Sequence, residues 1–248
     1  MRIALVNPNT SAETTAAFAA IARSAAAPGT EIVPLTGAFG ARLMLTAAEY
    51  EIGTHAALAA LAEHAPDCDA AIVAAFGDFG VAAARDLFRI PVLSMAEAAL
   101  KAASLAGQPF AMITIAHSAV PRMWALARAH GVAERLTDIH VLEPMADADA
   151  YAARTLEFCA QLAAGDAGEL VVLSGPPLSA LYPRLRGKSA LPLIEGAAAA
   201  VRLLEALVGL GVKPVARPER APTIAPELSG IPEALADAIR RRSRRGLS

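Results

Sequence analysis

Polar residues follow several apolar runs of this sequence, and their types suit the binding of a small anion. One run ends in Asn7-Pro8-Asn9-Thr10-Ser11, another in Thr114 and His117, and a third in Ser174 and Gly175. Hydroxyl groups and the free N–H groups of a helix N-terminus bind carboxylate or imide oxygens. Single Ser and Thr residues also cap helices in many proteins, so only their convergence in space would indicate a site.

Titratable side chains offer few candidates for acid–base chemistry. His117 is the one histidine of five at the predicted end of a strand, where it is either a general acid or base or a surface residue of the next helix. Asp78 follows another apolar run and would either orient a substrate N–H group or cap a helix. Cys68 and Cys159 fit packing positions better than nucleophiles. The histidines lack metal-ligand spacing and no phosphate-binding glycine motif occurs, so we expect no metal and no cofactor.

Short apolar runs that alternate with alanine-rich stretches must position these residues. The alternation predicts an α/β fold with mainly parallel sheets flanked by helices. Segments 69–78 and 169–177 repeat one pattern of acidic residue, strand and glycine-containing turn, which is typical of two similar lobes but also of successive βαβ units. The predicted strands are Arg2–Asn7, Glu31–Leu35, Ala70–Ala74, Val92–Ser94, Phe110–Thr114, Ile139–Leu142, Leu170–Leu173 and Pro192–Ile194. The predicted helices lie near 11–26, 47–65, 80–88, 96–106, 118–130, 148–164, 177–185 and 196–210.

Helix starts can be predicted at several of these strand ends. Thr10 and Glu13 have the spacing of a capping box with Thr10 as the N-cap, and Ser94 and Glu97 repeat that spacing. Pro121 suits the first turn of its helix. Ligands in parallel α/β folds bind at the carboxyl ends of the strands, so these helix starts would surround one anion site.

The composition excludes several other classes of protein. The chain has 248 residues, of which 55% are hydrophobic and 19% charged, unlike a disordered protein. A net charge of −2 gives no reason to expect nucleic acid, and no apolar run is long enough to span a bilayer. Two cysteines exclude a disulfide framework. We therefore predict a cytoplasmic protein that binds neither nucleic acid nor membrane.

The end of the chain, 213–248, differs in composition from the rest. It is predicted to be a proline-rich arm followed by an arginine-rich helix from Pro232 to Arg245. The cluster Arg240–Arg242 with Arg244 and Arg245 favours a solvated tail or docking on an acidic neighbouring subunit over nucleic acid or anionic lipid. On this basis we predict a homo-oligomer.

Several of these segments together resemble the Asp/Glu/hydantoin racemase superfamily, and most closely its hydantoin and allantoin racemases. They are Asn7-Pro8-Asn9-Thr10-Ser11, Ala74-Ala75-Phe76-Gly77-Asp78, Pro91-Val92 with Glu97-Ala98-Ala99, Pro192–Gly196 and Glu205–Gly211. The resemblance covers about residues 1–212 in order. It implies two pseudo-symmetric lobes, 1–95 plus 197–212 and 96–196, with the site in the cleft between them.

The resemblance also implies a cofactor-independent reaction in which two cysteines flank the α-carbon of the substrate. One thiolate removes the α-proton, and the other thiol delivers a proton to the opposite face. Hydroxyl and N–H groups would stabilise the enolate oxygen. In this sequence the two cysteine positions hold Ala75 and Gly175, and neither side chain transfers a proton. Glu195 stands where the family has Asp in an Ile-Asp-Gly turn.

Three hypotheses for the function follow from this substitution. We favour a family enzyme that acts on a small carboxylic acid, amino-acid derivative or cyclic ureide by lyase, isomerase or hydrolase chemistry. A catalytically inactive racemase variant and a small-anion-binding protein on the same fold are the alternatives. We predict His117 as the acid or base, with Ser174 orienting the substrate or a water. The residues predicted to bind substrate are Asn9, Thr10, Ala75, Phe76, Gly77, Asp78, Thr114 and Gly175.

Overall fold

The computed structural model describes residues 1–143, 145, 147–165, 168–214 and 226–244. The strands are β1 (Arg2–Asn7), β2 (Glu31–Thr36), β3 (Ala70–Val73), β4 (Val92–Ser94), β5 (Phe110–Thr114), β6 (Leu136–Val141), β7 (Leu170–Leu173) and β8 (Leu193–Glu195). The helices are α1 (Ala12–Ala25), α2 (Ala47–His64), α3 (Val81–Leu87), α4 (Met95–Ala106), α5 (Val120–Ala129), α6 (Ala148–Ala164), α7 (Pro176–Leu185), α8 (Gly196–Gly209) and α9 (Glu233–Arg244).

The described residues form two parallel four-stranded sheets, which confirms the predicted α/β class. The order of the first sheet is β2-β1-β3-β4 and that of the second is β6-β5-β7-β8, so the two halves repeat one topology. We call the half built on β1–β4 lobe 1 and the half built on β5–β8 lobe 2. Helices cover both faces of each sheet, and each face has its own hydrophobic core.

The central strands are apolar throughout because helices bury both of their faces. Every residue of Ile3–Val6 and of Leu170–Leu173 is at most 3% exposed. The parallel register pairs Val6 with Val73 in lobe 1 and Ile113 with Leu173 in lobe 2. The carboxyl ends of β1 and β3, and likewise those of β5 and β7, therefore lie side by side, and the loops that follow them are brought together.

Helices α4 and α8 pack against each other where the lobes meet. On α4, Met95 and Ala98 belong to a core of lobe 1, whereas Leu100 belongs to a core of lobe 2. Gly196, the first residue of α8, lies against Met95, the first residue of α4. A Cβ built on Gly196 would be 2.7 Å from both the Cβ and the carbonyl oxygen of Met95. The close approach of the two helix starts therefore requires glycine at 196.

The C-terminal helix α9 docks on lobe 1 of its own chain. Leu235 and Ala238 join the core beneath α2 and α3, and Arg242 Nε donates to Asp86 Oδ1 at 2.9 Å. The predicted arginine-rich helix is thus present, and its described part packs within the chain. Residues 215–225, which carry most of the predicted arm, and Arg245 lie outside the described residues.

Strand β6 begins at Leu136, three residues before the predicted start, because the polar residues Thr137 and Asp138 belong to an edge strand.

Within the described ranges, no helix combines the length and the apolar composition that crossing a membrane requires.

Candidate functional site

The loop after β1 fixes the side chain of Asn9. Asn7 Nδ2 donates to Asn9 Oδ1 at 2.7 Å, and the backbone N–H of Ser11 donates to the same oxygen at 2.9 Å. Because the Asn9 oxygen is held from two sides, its amide NH2 group is left for other partners. Ser11, not Thr10, is the N-cap of α1, since its side chain accepts from the N–H of Thr14. The prediction of Thr10 as the N-cap is therefore wrong, and the residue that follows it takes that role.

The loop after β3 carries Ala75 and is anchored by Asp78. The Asp78 carboxylate accepts from Ser94 Oγ at 2.5 Å and lies 2.7 Å from Nε2 of His130 in lobe 2. Asp78 does not cap α3, whose N-cap is Gly80 without a side-chain hydrogen bond. Asp78 therefore links the start of α4 to the end of α5 and so ties the two lobes together.

The matching loops of lobe 2 bring hydroxyl groups to the same region. Thr114 ends β5 and is 2% exposed, and Ser174 follows β7 and is 1% exposed. Ser174 Oγ has no hydrogen-bond partner among the described residues. A buried hydroxyl without a partner is unfavourable, so this oxygen is available to a ligand. Gly175 follows as the N-cap of α7, with φ 102° and ψ 147°.

These loops enclose one cavity of about 200 Å³ between the lobes. Its polar lining comes from Asn9, Thr14, Thr114, Ser118, Ser174 and Arg122, and the other lining residues are apolar or aromatic. Ala75 from lobe 1 and Gly175 from lobe 2 both line it. The volume is below the roughly 300–1,000 Å³ of pockets for drug-sized ligands, so the cavity suits a small metabolite.

The cation of the cavity is Arg122, which lies in the first turn of α5 in lobe 2. Its guanidinium carbon is 4.0 Å from the ring centroid of Tyr50 and 5.7 Å from that of Phe79, both in lobe 1. The Tyr50 and Phe79 rings stack on each other with centroids 5.0 Å apart. Gly77 permits this arrangement, because a Cβ there would be 2.6 Å from the Phe79 ring.

The structure brings some of the predicted site residues together and not others. Those that line the cavity are Asn9, Ala75, Phe76, Thr114, Ser174 and Gly175. Thr10, Gly77 and Asp78 lie beside it in the same loops but outside its lining. His117 also lies outside the lining: its Nε2 is 3.0 Å from Glu143 Oε1, and its side chain is 74% exposed. The predicted catalytic role of His117 stays a prediction.

Three residues of the lining, Arg122, Tyr50 and Phe79, are not among the predicted site residues. The position of Arg122 in the sequence could have indicated a site residue, since it directly follows Pro121 in a helix that begins after a strand. No feature of the sequence indicates the stack on Tyr50, because that contact depends on how the lobes pack.

The two cysteines lie in hydrophobic cores away from the cavity. Cys68 belongs to a core of lobe 1 and Cys159 to a core of lobe 2. Burial raises the pKa of each thiol. No cluster of His, Cys, Asp and Glu in the described part of the chain has the composition of a metal site. The polar side chains of the cavity lining are mainly hydroxyl, amide and guanidinium groups.

Comparisons with known proteins agree on one family. The family described as Asp/Glu/Hydantoin racemase matches residues 3–204. The hydantoin racemase of Paenarthrobacter aurescens is 31% identical over 218 residues, which are 85% of this chain and 92% of that protein. The structure of allantoin racemase from Klebsiella pneumoniae matches with a TM-score of 0.84 and 28% identity, over 93% of this chain and 96% of that one. Arylmalonate decarboxylase shares the fold at 16% identity, with a TM-score of 0.60 over 86% of this chain and 94% of that one.

Proposed function

This chain belongs to the Asp/Glu/hydantoin racemase family, and we propose that it acts on a small carboxylic acid, amino-acid derivative or cyclic ureide bound between its lobes. The proposed reaction needs no cofactor and does not use two thiols. It is of lyase, isomerase or hydrolase type. The homo-oligomeric state and cytoplasmic location predicted from the sequence stay predictions.

One observation carries this proposal: Ala75 and Gly175 line the same cavity, at the two positions where the family resemblance implies cysteines. Inversion of an α-carbon requires proton removal on one face and proton delivery on the other. Neither residue has a titratable side chain. Cys68 and Cys159 lie outside the lining, so they do not replace the missing thiols.

The groups that remain in the cavity suit the stabilisation of negative charge on a substrate. Ser174 Oγ and the Asn9 amide donate hydrogen bonds, and Arg122 supplies a positive charge. Fixed donors of this kind stabilise an enolate or a tetrahedral oxyanion. In a lyase reaction, for example, the bond from the α-carbon to a carboxylate breaks and CO2 leaves. The electron pair left on the α-carbon then takes a proton from water.

A second candidate function is binding without turnover. It is favoured by the cavity lining, which among the described residues contains no His, Cys, Asp, Glu or Lys side chain. Such a protein would hold its ligand unchanged, as a sensor or carrier does. The two candidates share the ligand site and differ only in whether the bound compound is converted.

Solvent-exchange and turnover assays test the proposal. Enantiopure hydantoins, aspartate and glutamate are incubated with the protein in D2O, and α-deuteration and optical purity are measured. We expect no exchange-coupled racemisation, and the same result with Cys68→Ser/Cys159→Ser. Racemisation by either protein would contradict the proposal.

The same incubations, extended to a panel of small acids and ureides, separate the two candidates. Conversion that is lost in Ser174→Ala would support the enzyme. Binding of a compound that stays unconverted would support the second candidate. If no compound binds at all, both candidates are wrong.

A further inference from the structure

Arg122 is a cation in the lining of the cavity that has no anionic partner within the described chain. None of its nitrogens lies in an ion pair with a described carboxylate, and its buried Nε has no hydrogen-bond partner among the described residues. Arginines in clefts are usually paired with Asp or Glu, because removing a guanidinium from water without a partner is unfavourable. An external anion would supply the missing partner.

The position of the guanidinium is set before any ligand binds. Arg122 is carried by α5 of lobe 2, but it lies on the face of Tyr50, which belongs to α2 of lobe 1. The Tyr50 hydroxyl donates to the carbonyl of Leu45 at 3.2 Å, and the Phe79 ring packs beside both the Tyr50 ring and the guanidinium. A guanidinium stacked on a ring keeps its N–H groups in its own plane, free to donate to a planar carboxylate. The aromatic pair therefore preorganises Arg122 for a bidentate contact.

The rest of the cavity defines the remainder of the ligand. Ser174 Oγ is a second unpartnered polar atom and is almost completely buried. Phe18, Phe76, Met95 and Met123 form much of the remaining wall. A ligand that matches this lining has one negative charge, a second polar group and a compact apolar substituent.

On the basis of the proposed function, we propose that the cavity selects a small monocarboxylate with an apolar substituent, whose carboxylate binds Arg122, over an uncharged ureide ring. Ser174 contacts the second polar group of the same ligand. The hydantoin and allantoin racemases that this chain resembles are named for ring compounds, so the proposal separates this chain from them in substrate class.

A matched set of three probes tests this selectivity. N-carbamoylvaline carries a carboxylate, N-carbamoylvalinamide has nearly the same shape without charge, and 5-isopropylhydantoin is the corresponding closed ring. Binding of each to the full-length protein is measured by calorimetry at neutral pH. We expect the carboxylate to bind at least tenfold more tightly than the amide or the hydantoin. Inorganic phosphate as a competitor is expected not to displace it, because phosphate leaves the apolar wall empty.

Variants at position 122 locate the selectivity. Arg122→Gln should weaken carboxylate binding roughly 10- to 100-fold, as expected for the loss of charge-assisted hydrogen bonds, and should change amide binding less than threefold. Arg122→Lys should bind the carboxylate more weakly than the wild type but more tightly than Arg122→Gln, since lysine keeps the charge but not the planar pair of donors. Arg128→Gln is the matched control, because Arg128 is an exposed arginine on the same helix. Thermal unfolding of each variant confirms that it is folded.

The outcomes distinguish this inference from the proposed function. If the amide or the hydantoin binds as tightly as the carboxylate, or if Arg122→Gln weakens all three probes equally, the assignment of Arg122 is wrong while a ligand site remains. Displacement of the carboxylate by phosphate would overturn the apolar part of the assignment. If none of the three probes binds the wild-type protein, the inference is wrong, whereas the proposed function is overturned only if the whole panel of acids and ureides also fails to bind.

Discussion

The two lobes repeat one topology, but they differ most at the two loops that face each other across the cavity. In lobe 1, seven residues separate the end of β3 from α3, and Ala75 lies within this connection. In lobe 2, Ser174 and Gly175 alone separate β7 from α7, and Pro176 begins the helix. The same fold thus presents position 75 on a long loop and position 175 as a helix cap.

The two family cysteine positions are therefore not equivalent in this chain. Ala75 already carries a Cβ, so a longer side chain there only extends toward the cavity. Gly175 has φ 102° and ψ 147°, a conformation that residues with a Cβ rarely adopt. A thiol could be added to lobe 1 by one side-chain change, whereas in lobe 2 the same change would strain the backbone at position 175.

A second pair of equivalent positions differs in the same way. Met95 and Gly196 each begin the helix that follows the last strand of its sheet. Ser94 and Glu195, the preceding residues, are the N-caps of these helices. Lobe 1 uses a side chain at the first position and a small hydroxyl as the cap, whereas lobe 2 uses no side chain and a buried carboxyl group.

The largest effect on stability is expected from Gly196→Ala, which disturbs the close contact between Gly196 and Met95 at the starts of α8 and α4. The new Cβ would be 2.7 Å from backbone and side-chain atoms of Met95, so α4 and α8 would have to separate. We expect a loss of about 3 kcal/mol in the free energy of unfolding and a Tm lower by roughly 6–12 °C. Denaturant and thermal unfolding measure both quantities.

Gly209→Ala, at the other end of the same helix, is the control for this prediction. A Cβ on Gly209 would meet no atom within 4 Å, so stability should change by less than about 1 kcal/mol and should increase. Equal losses in the two variants would show that the contact with Met95 is not the cause.

The next largest effect concerns the cavity positions themselves. Gly175→Cys should destabilise the protein by roughly 1–3 kcal/mol, because the cysteine must adopt a glycine-like conformation. Ala75→Cys should change the free energy of unfolding by less than about 1 kcal/mol. Thermal unfolding of both variants under reducing conditions makes the comparison. If Gly175→Cys were as stable as the wild type, the loop of lobe 2 would be more adaptable than its backbone angles indicate.

The sequence predicts most of the fold because buried parallel strands are continuous apolar runs. Arg2–Asn7, Phe110–Thr114 and Leu170–Leu173 were predicted with the bounds that the structure gives them. The predicted start of β6 is too late, since an edge strand has polar residues on its exposed side. The predicted cap of α1 is Thr10 instead of Ser11, because neighbouring hydroxyl residues have similar propensities for the N-cap. The hydrogen bond that the Ser11 side chain accepts from the N–H of Thr14 decides between them.

The candidate site was predicted only as far as the strand ends reach. Asn9, Thr114 and Ser174 lie at the ends of strands or within two residues of them, so the topology brings them to the carboxyl edges of the sheets. Arg122 reaches the cavity through a long side chain whose direction depends on Tyr50 in the other lobe. Contacts between lobes depend on how two separate sheets pack, and this packing leaves no periodic pattern in the sequence.

A smaller effect is expected from the unequal caps, through the pH dependence of stability. Burial raises the pKa of Glu195 above its ordinary value of 4.5, and its Oε1 has no hydrogen-bond partner among the described residues. Between pH 4.5 and the raised pKa, Glu195 is protonated in the folded chain but ionised in the unfolded chain. The contribution of Glu195 to stability is therefore present below pH 4.5 and is lost as the pH rises through the raised pKa.

The variant Glu195→Gln removes this titration while keeping an oxygen for the N–H of Ala198. We expect the Tm of the variant to exceed that of the wild type by roughly 2–4 °C at pH 8, about 1 kcal/mol, and the difference to vanish near pH 4. Thermal unfolding across this pH range is the measurement. Glu134→Gln, at an exposed position of lobe 2, should show no such trend. A difference that is constant with pH would contradict the buried carboxyl as its cause.

The smallest effect on stability is expected from His117→Ala. His117 lies on the exposed edge of lobe 2, whereas Arg122 lies on the side of lobe 2 that lines the cavity. The His117 side chain is 74% exposed and pairs only with the equally exposed Glu143, whereas Arg122 in the next helix turn lines the cavity. Exposed pairs of this kind contribute little to stability, so the free energy of unfolding should change by less than about 0.5 kcal/mol. Ligand affinity should change less than twofold, because the imidazole is not part of the cavity lining. Turnover distinguishes the two roles weighed for His117: it stays unchanged for a surface residue and is lost for an acid or base. Calorimetry with N-carbamoylvaline and the turnover panel provide these values, with Arg122→Gln as the variant expected to lose affinity. A complete loss of turnover in His117→Ala with unchanged affinity would instead establish His117 as the acid or base predicted from the sequence, and it would require His117 to move toward the cavity when the ligand binds.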